Sequence, residues 1–303
     1  MPERAAHRDP HTAVKQELLV RYLDAWTPTV LRSQRRASYL ESSRDGSAAA
    51  ALRVFGEFAD RLTGHQLDVV VLGASDEPLG DVLDELGRPA GLSVRTVEDP
   101  DMVRPDGAVL AHLDLVGDGA LDEPAAWRLV DRLAKGRAGE VLLTLPPADP
   151  AWIAGYRDRL GRAGLGHVAE VELADGTGRV QLLVFAAGVE KHLTVFKDAL
   201  WAADAYAGIR YRDPRDPEHT QIDISLTPPL APLRRAVLEE LARCGRCSVA
   251  ELRRYTLRET IYRPAEVNRV LASLTIAGAV SRTPEKGRLT PGTVVRLHKP
   301  PRE

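Results

Sequence analysis

The sequence predicts an α/β fold in which helices cover both faces of a mostly parallel sheet and a smaller module follows. Short apolar runs alternate with longer segments of helical periodicity through the first half of the chain. The strand-like runs are 37–40, 67–72, 92–97, 108–115 and 141–145, and the helical segments between them are 48–62, 78–86, 123–134 and 150–163. This alternation is typical of strand–helix–strand units, in which successive strands lie parallel.

A helix before the first strand and a hairpin after the fifth complete the sheet region. Apolar residues recur at helical spacing over residues 12–26, and two strand-like runs, 168–173 and 180–186, flank a turn that contains two glycines. Five parallel strands followed by such a hairpin favour a Rossmann-like sheet of the class I methyltransferase type. Trp26 and Trp201 lie on apolar helical faces, so we expect both indoles to be buried.

The C-terminal quarter predicts a winged helix. Helical patterns over 230–244, 248–257 and 264–277 precede two strand-like runs that flank a turn at 284–287. Three short helices and a hairpin are typical of winged-helix modules. We therefore predict four regions, which are a flexible tail (1–10), a methyltransferase-like domain (11–188), a connecting helix and linker (189–227) and a winged-helix domain (228–303).

Composition narrows the class of protein. Of the 303 residues, 44% are hydrophobic and 28% are charged, which is ordinary for a globular protein. The start is polar, and no apolar run is long enough to span a bilayer, so we expect a cytoplasmic protein without a membrane partner. Cys244 and Cys247 supply half of a closed zinc site. We therefore expect a turn with two thiols and no metal.

Charge is divided unevenly along the chain. Residues 228–303 contain 15 Lys and Arg against 7 Asp and Glu, whereas residues 1–227 contain 26 against 36. A basic module joined to an acidic body favours an anionic partner such as DNA or RNA. Six residues of the third helix and the wing would contact it: Arg263, Asn268, Arg269, Arg282, Lys286 and Arg288. The alternative is a protein-docking module with a solvated basic face.

The turn after the first strand decides whether a cofactor binds. Nucleotide-binding βαβ units carry several glycines there, because the backbone must bend sharply and approach the ligand closely. Residues 41–47 read Glu-Ser-Ser-Arg-Asp-Gly-Ser and contain one glycine. The candidate cofactor-binding residues at this edge are Glu41, Ser43, Asp45, Gly46 and Asp76. The alternative is a solvated loop that caps the following helix.

Asp114 and His112 are the candidate catalytic residues. Asp114 lies at the end of the fourth strand, and His112, two residues earlier, projects to the same side. Both would reach the ligand edge of the sheet, although a histidine beside an apolar strand is also typical of a satisfied core residue. His11 and Lys15, one helical turn apart, are further candidates to face this edge.

Several segments resemble the three-Cys-motif partner family. Residues 11–26 are similar to its opening helix, with His-Thr, Lys and Tyr-Leu-x-x-Trp, and residues 38–41 match its first strand. Leu-Asp-Leu-Val-Gly at 113–117 stands where the family has an Asp-Pro-aromatic-Gly turn, and residues 196–204 are similar to its Met-Lys-x-Ala-Met-Trp segment. The resemblance implies a bacterial protein, methyltransferase-like with a C-terminal winged helix, that works beside a radical-SAM-like protein with a cysteine motif.

The chain departs from this family where chemistry would take place. The 41–47 turn lacks most of the family glycines, and Arg44 places a cation where a methyl donor's sulfonium needs room. The Asp114 turn lacks the proline and aromatic residue that shape an acceptor pocket in amino-methyltransferases. We therefore predict a degenerate, noncatalytic methyltransferase-like protein without a cofactor, whose winged helix binds nucleic acid or a protein partner. The alternatives are an active S-adenosylmethionine-dependent methyltransferase acting on nucleic acid, and a structural partner of a radical-SAM-like three-Cys-motif protein.

Overall fold

The computed structural model describes residues 9–73, 77–116, 121–133, 139–203, 208–223 and 229–298. Its main element is an eight-stranded mixed sheet, and a second sheet of three strands lies in the C-terminal module. None of the described helices is both long and apolar enough to cross a membrane. The predicted α/β fold is confirmed.

The strand order of the large sheet is β3-β2-β1-β4-β5-β7-β6-β8. Its strands are β1 (Arg36–Glu41), β2 (Gln66–Leu72), β3 (Leu92–Val97), β4 (Ala108–Asp114), β5 (Gly139–Leu145), β6 (His167–Ala174), β7 (Val180–Ala187) and β8 (Arg210–Arg212). The first five strands are parallel, and β7 inserts antiparallel between β5 and β6. Five parallel strands with this inserted hairpin form the Rossmann-like arrangement that the sequence predicts for class I methyltransferases.

Helices cover both faces of the large sheet. They are α1 (Pro10–Ser33), α2 (Ser47–Gly56), α3 (Leu79–Glu85), α4 (Glu123–Leu133), α5 (Pro150–Arg162) and α6 (Glu190–Ala202). Helices α1, α2, α3 and α6 share one apolar cluster with the sheet, and α4 and α5 share the cluster on the opposite face. The connections change face between β1 and β4, which makes the carboxyl ends of these two strands the topological switch point of the sheet.

A buried carboxylate holds α1 on the sheet. Glu140 on β5 is 1% exposed, and it accepts hydrogen bonds from the Tyr22 hydroxyl and from the Trp26 indole N–H, the latter at 3.0 Å. His192 at the start of α6 places its Nδ1 2.8 Å from the same carboxylate. Trp26 is 3% exposed and Trp201 is 8% exposed, so the predicted burial of both indoles is confirmed.

The segment that the sequence marks as a linker adds a strand to the sheet. β8 pairs antiparallel with β6, and Tyr211 within it forms a bridge with Ile222. Both side chains are fully buried. The region between α6 and the C-terminal module therefore lies against the sheet edge over its described residues.

The C-terminal module follows the order helix, strand, helix, helix, strand, strand. Its elements are α7 (Ala231–Cys244), β9 (Arg246–Ser248), α8 (Val249–Glu259), α9 (Glu266–Ile276), β10 (Val280–Thr283) and β11 (Val294–Leu297). The three strands pair antiparallel in the order β10-β11-β9. Ser248 and Glu251 form a capping box at the start of α8, since each side chain bonds the other residue's backbone N–H.

Cys244 and Cys247 form a disulfide, so the expectation of two free thiols is wrong. The two residues flank the tight turn between α7 and β9, and this turn brings their Cα atoms to 6.5 Å. That separation lies within the range that a disulfide spans. A count of two cysteines argued against a disulfide framework but carried no information about this local pairing.

Two side chains of α6 hold the module against the sheet domain. Lys197 is fully buried and donates to the backbone carbonyls of Thr256 and Tyr262 at 2.9 and 3.1 Å, and also to that of Thr260. Trp201 donates to the carbonyl of Ile261 at 2.9 Å. Burial lowers the pKa of Lys197 well below its usual value. The end of α8 is therefore capped by the side-chain amine of a lysine that belongs to the other domain.

We expect Lys197→Met to lower the free energy of unfolding by about 3 kcal/mol, because it leaves buried carbonyls without a donor. Chemical denaturation followed by circular dichroism measures the change. The matched control is Lys191→Met, which makes the same substitution at an exposed position of α6 and should stay within about 0.5 kcal/mol of the parent. Equal losses in the two variants would contradict the capping role.

Candidate functional site

Two cavities open beside the carboxyl ends of the parallel strands. The first, of about 350 Å³, is lined by Asp9, Thr12, Lys15, Ser42, Ser43, Arg44, Asp45, Asp114, Val116, Arg179 and Gln181. The second, of about 400 Å³, is lined by residues after β2 and β3 and at the start of α4, and Ser42 lines both. They lie where open α/β sheets bind ligands.

The carboxylate of Glu41 accepts hydrogen bonds from groups inside the protein. Its carboxylate is fully buried and accepts from the Ser43 backbone N–H at 2.7 Å, from His112 Nδ1 at 2.8 Å and from the Tyr39 hydroxyl. Burial alone would lower the pKa of His112, but the charge and hydrogen bond of Glu41 outweigh it and raise this pKa. Glu41 and His112 therefore shape the turn from beneath, and neither lines the two cavities.

Asp114 forms a buried ion pair with Lys15 of α1. The Lys15 Nζ lies 2.8 Å from Oδ2, and both side chains are nearly inaccessible to solvent. The other carboxylate oxygen, Oδ1, accepts from the Val116 backbone N–H at 2.8 Å, while the Asp114 backbone N–H donates to Ser42 Oγ. Asp114 thus lines the first cavity, as predicted for a site residue, but a lysine neutralises its charge.

Carboxylates of the chain also occupy the N-terminus of α2. Gly46 adopts a φ of 91°, which suits glycine, and its N–H donates to Glu77 at 3.1 Å. The Ala49 N–H donates to the other oxygen of Glu77 at 3.2 Å, and the Ser47 N–H donates to Asp45 Oδ1. Burial raises the pKa of Glu77. Amides that could bind an anionic ligand at a helix start are therefore already bonded.

Arg44 lies along the boundary between the two cavities. Its side chain is exposed and lines the first cavity, and its Nη2 is 3.5 Å from the position that a Cβ on Gly73 would take. Gly73 lines the second cavity. A ligand that extends from one cavity to the other would have to displace this guanidinium.

The structure separates the predicted site residues into two groups. Ser43, Asp45 and Asp114 line the first cavity, whereas Glu41 and His112 lie beneath it and Gly46 forms the turn. Asp76 lies outside the described residues. Sequence reasoning missed two site residues, Glu77 and Gln181. Glu77 carried only the weak signal of a carboxylate before a helix, and Gln181 lies at the start of an apolar strand with no motif around it.

Three of the predicted nucleic-acid contacts are bonded within the module. Arg263 pairs with Glu266 at 2.8 Å and lies over the Trp201 ring, with its guanidinium carbon 5.4 Å from the ring centroid. Arg269 pairs with Glu266 at 3.3 Å, and Arg282 donates to the backbone carbonyls of the wing turn. These bonds orient the three guanidinium groups and reduce their availability to phosphates.

Two of the remaining three candidates, Asn268 and Arg288, line a groove between α9 and the wing, and the third, Lys286, lies next to it in the wing turn. Lys286 and Arg288 are exposed, and neither forms an ion pair with any described residue. Asn268, Arg282 and Arg288 line this groove, which has a volume of about 420 Å³, and so does Ile276, whose side chain is 89% exposed. The groove therefore combines apolar and basic residues.

The described residues contain one cluster with metal-ligand character, formed by Glu240, Cys244 and Cys247, whose ligand atoms lie within 4.8 Å of one another. Both sulfurs are joined in the disulfide. The carboxylate of Glu240 also pairs with Arg243 at 2.6 Å. The cluster offers no thiolate in this state, and a metal would need the reduced protein.

Comparisons with known proteins find similarity to solved structures. No family model matches the chain, and no curated protein matches it. The pyocyanin biosynthetic protein PhzM is 16% identical, with 55% of this chain and 54% of that chain covered and a TM-score of 0.34. The riboflavin-derivative dimethyltransferase RosA from Streptomyces davawensis is 14% identical, with 55% and 54% covered and a TM-score of 0.32. PigF with SAH is 16% identical, with 51% of each chain covered and a TM-score of 0.31.

The chain spans about half the length of these three structures. The strand order and the switch point between β1 and β4 place the chain among Rossmann-like proteins of the methyltransferase type.

We expect the contribution of His112 to stability to depend on pH. Because its folded pKa is raised, its stabilising effect is complete below the unfolded value of 6.5 and is lost as the pH rises through the folded pKa. His112→Asn retains an N–H donor but does not titrate. The difference in free energy of unfolding between parent and variant should be larger at about pH 6 than at about pH 9. A difference independent of pH would contradict the charged pair with Glu41.

Proposed function

We propose that this protein is a noncatalytic, cytoplasmic methyltransferase-like scaffold whose C-terminal module binds nucleic acid. One observation carries the noncatalytic part. The carboxylates at the ends of β1 and β4, Glu41 and Asp114, are buried and bonded to groups of the chain itself. A general base needs access to the proton that it removes, and these pairings deny that access.

The site does not fit S-adenosylmethionine. The α2 amides of Gly46 and Ala49 are bonded to Glu77, and Arg44 lies between the two cavities that an adenosyl group and an amino acid group would have to occupy together. The positive charge of Arg44 also opposes a sulfonium nearby. We therefore assign no methyl-transfer step to this cleft.

We expect S-adenosylmethionine and S-adenosylhomocysteine, each at about 1 mM, to leave the thermal unfolding midpoint unchanged. A ligand that binds only the folded state raises the midpoint as its concentration exceeds its dissociation constant. Differential scanning fluorimetry over a concentration series makes the test. A midpoint that rises and follows a saturable dependence on either compound would establish a cofactor site and favour the active methyltransferase.

We assign residues 228–303 to a winged-helix domain. The order of elements from α7 to β11 supports this assignment, because it places α9 and the β10–β11 turn side by side on one surface. In such modules the third helix enters a groove of the duplex and the wing contacts phosphates. Lys286 and Arg288 at the wing turn are the best placed for phosphates, and Arg269 lies exposed on α9.

We expect the full chain to bind duplex DNA with an affinity that falls steeply with salt, because bound cations release counterions from the phosphates. Replacing both wing cations, Lys286→Gln with Arg288→Gln, should reduce the slope of log affinity against log salt by about two. Fluorescence anisotropy with a labelled duplex measures the slope.

The control for this experiment is Arg53→Gln, which removes an exposed cation from α2 in the acidic domain. It should leave the slope unchanged. Weak binding with no salt dependence, or an equal effect of the control, would exclude phosphate contacts at the wing.

A second function is favoured by the apolar residues of the groove. Ala272, Ile276 and Leu289 line it together with polar residues, and an apolar patch bordered by polar residues is typical of a surface that contacts another protein. The resemblance to the three-Cys-motif partner family suggests a radical-SAM-like protein with a cysteine motif as that partner. Absence of DNA binding at about 50 mM salt, where phosphate contacts are strong, would favour this function.

A further inference from the structure

One cation and one anion of the first cavity form no ion pair with the described residues. Six charged side chains line this cavity, three of each sign: Asp9, Lys15, Arg44, Asp45, Asp114 and Arg179. Lys15 pairs with Asp114 at 2.8 Å and Arg179 pairs with Asp9 at 3.1 Å. Arg44 forms no ion pair with any described residue.

Asp45 is only half satisfied. Its Oδ1 accepts from the Ser47 backbone N–H at 3.1 Å. Its Oδ2 is buried and has no hydrogen-bond partner among the described residues. A buried carboxylate oxygen without a donor is costly, so this oxygen is a candidate to accept a hydrogen bond from a ligand.

Gln181 gives independent evidence for the same conclusion. It lies near the start of β7, is 3% exposed and lines the same cavity. Its Oε1 has no hydrogen-bond partner in the described part of the chain. Among the described residues, two acceptors from different parts of the chain therefore lack donors in a cavity that also contains the guanidinium of Arg44, which forms no ion pair there.

We propose that this cavity binds the zwitterion of a free α-amino acid. The ammonium group donates to Asp45 Oδ2 and Gln181 Oε1, and the carboxylate binds Arg44. A charge-assisted hydrogen bond forms at each end of the ligand. A volume of about 350 Å³ is near the lower end of ligand-binding cavities and suits a ligand of this size.

The opposite charges of Arg44 and Asp45 exclude ligands that carry charge of only one sign. A phosphate would bind Arg44 but would be repelled by Asp45, and a diamine would bind Asp45 but would be repelled by Arg44. A zwitterion satisfies both, and it leaves the cavity neutral because the other four charges cancel in pairs.

An amino acid site goes beyond the proposed function, and an experiment can contradict either proposal without contradicting the other. S-adenosylmethionine carries an α-amino acid group, but its adenosyl part needs the second cavity beyond Arg44. Stabilisation by a free amino acid without stabilisation by S-adenosylmethionine supports both proposals. Stabilisation by both contradicts the claim that the cleft does not fit S-adenosylmethionine and retains the amino acid site, whereas stabilisation by neither overturns the amino acid site alone.

The experiment measures the thermal unfolding midpoint of the full chain with each of the twenty common L-amino acids at about 10 mM, followed by calorimetry with those that raise it. We expect at least one of them to raise the midpoint. Its N-acetyl and its amide derivatives, which lack the ammonium and the carboxylate charge respectively, should bind at least about tenfold more weakly. A response to no amino acid, or derivatives that bind as tightly as the amino acid itself, overturns the proposal.

Three variants assign the contacts. Arg44→Gln removes an exposed side chain and is expected to fold, and it should weaken binding about tenfold or more. Asp45→Asn and Gln181→Leu should do the same, and their circular dichroism spectra check that they fold. Arg53→Gln on α2 is the matched control and should bind like the parent. Unchanged affinity in folded Arg44→Gln overturns the proposed site.

Discussion

The position of α1 on the sheet depends on two buried carboxylates, Asp114 at the end of β4 and Glu140 on β5. A buried carboxylate without partners costs several kcal/mol, so each needs donors from a neighbouring element. Lys15, Tyr22 and Trp26 supply them, and their spacing of seven and four residues places all three on one face of α1. The register that satisfies Glu140 therefore also brings Lys15 to the strand ends.

This register of α1 affects the cleft at the strand ends, and the carboxylate that sets it also contacts α6. At the strand ends it neutralises Asp114, the residue best placed for chemistry, so the cleft that would hold a cofactor becomes part of the packing of α1. On the other side of Glu140, His192 of α6 lies 2.8 Å from the carboxylate, and α6 bonds the C-terminal module through Lys197 and Trp201. Helix α6 thus connects Glu140, the carboxylate that positions α1, to the residues at the end of α8.

The sequence predicted the fold because the elements here have strong local signals. Apolar periodicity located the helices and strands of the sheet, and the glycine-poor turn at 41–47 identified the cleft as unusual. Other features depend on contacts that local pattern does not encode. Pro28 lies inside α1, although proline usually ends a helix, and β8 is a three-residue strand that forms by pairing with the edge of β6. The bonds that occupy the site join residues far apart in the chain, such as Lys15 with Asp114.

Side chains of the protein already occupy the amides that a ligand would use at the start of α2. Amide hydrogen exchange of Gly46 and Ala49, measured by NMR in the free protein, tests it directly. Neither N–H has an acceptor within its own helix, so the account predicts exchange more than about tenfold slower than in an unstructured peptide, and loss of that protection in Glu77→Ala. Fast exchange of both amides in the parent protein would contradict the account, since the helix start would then be open to a ligand.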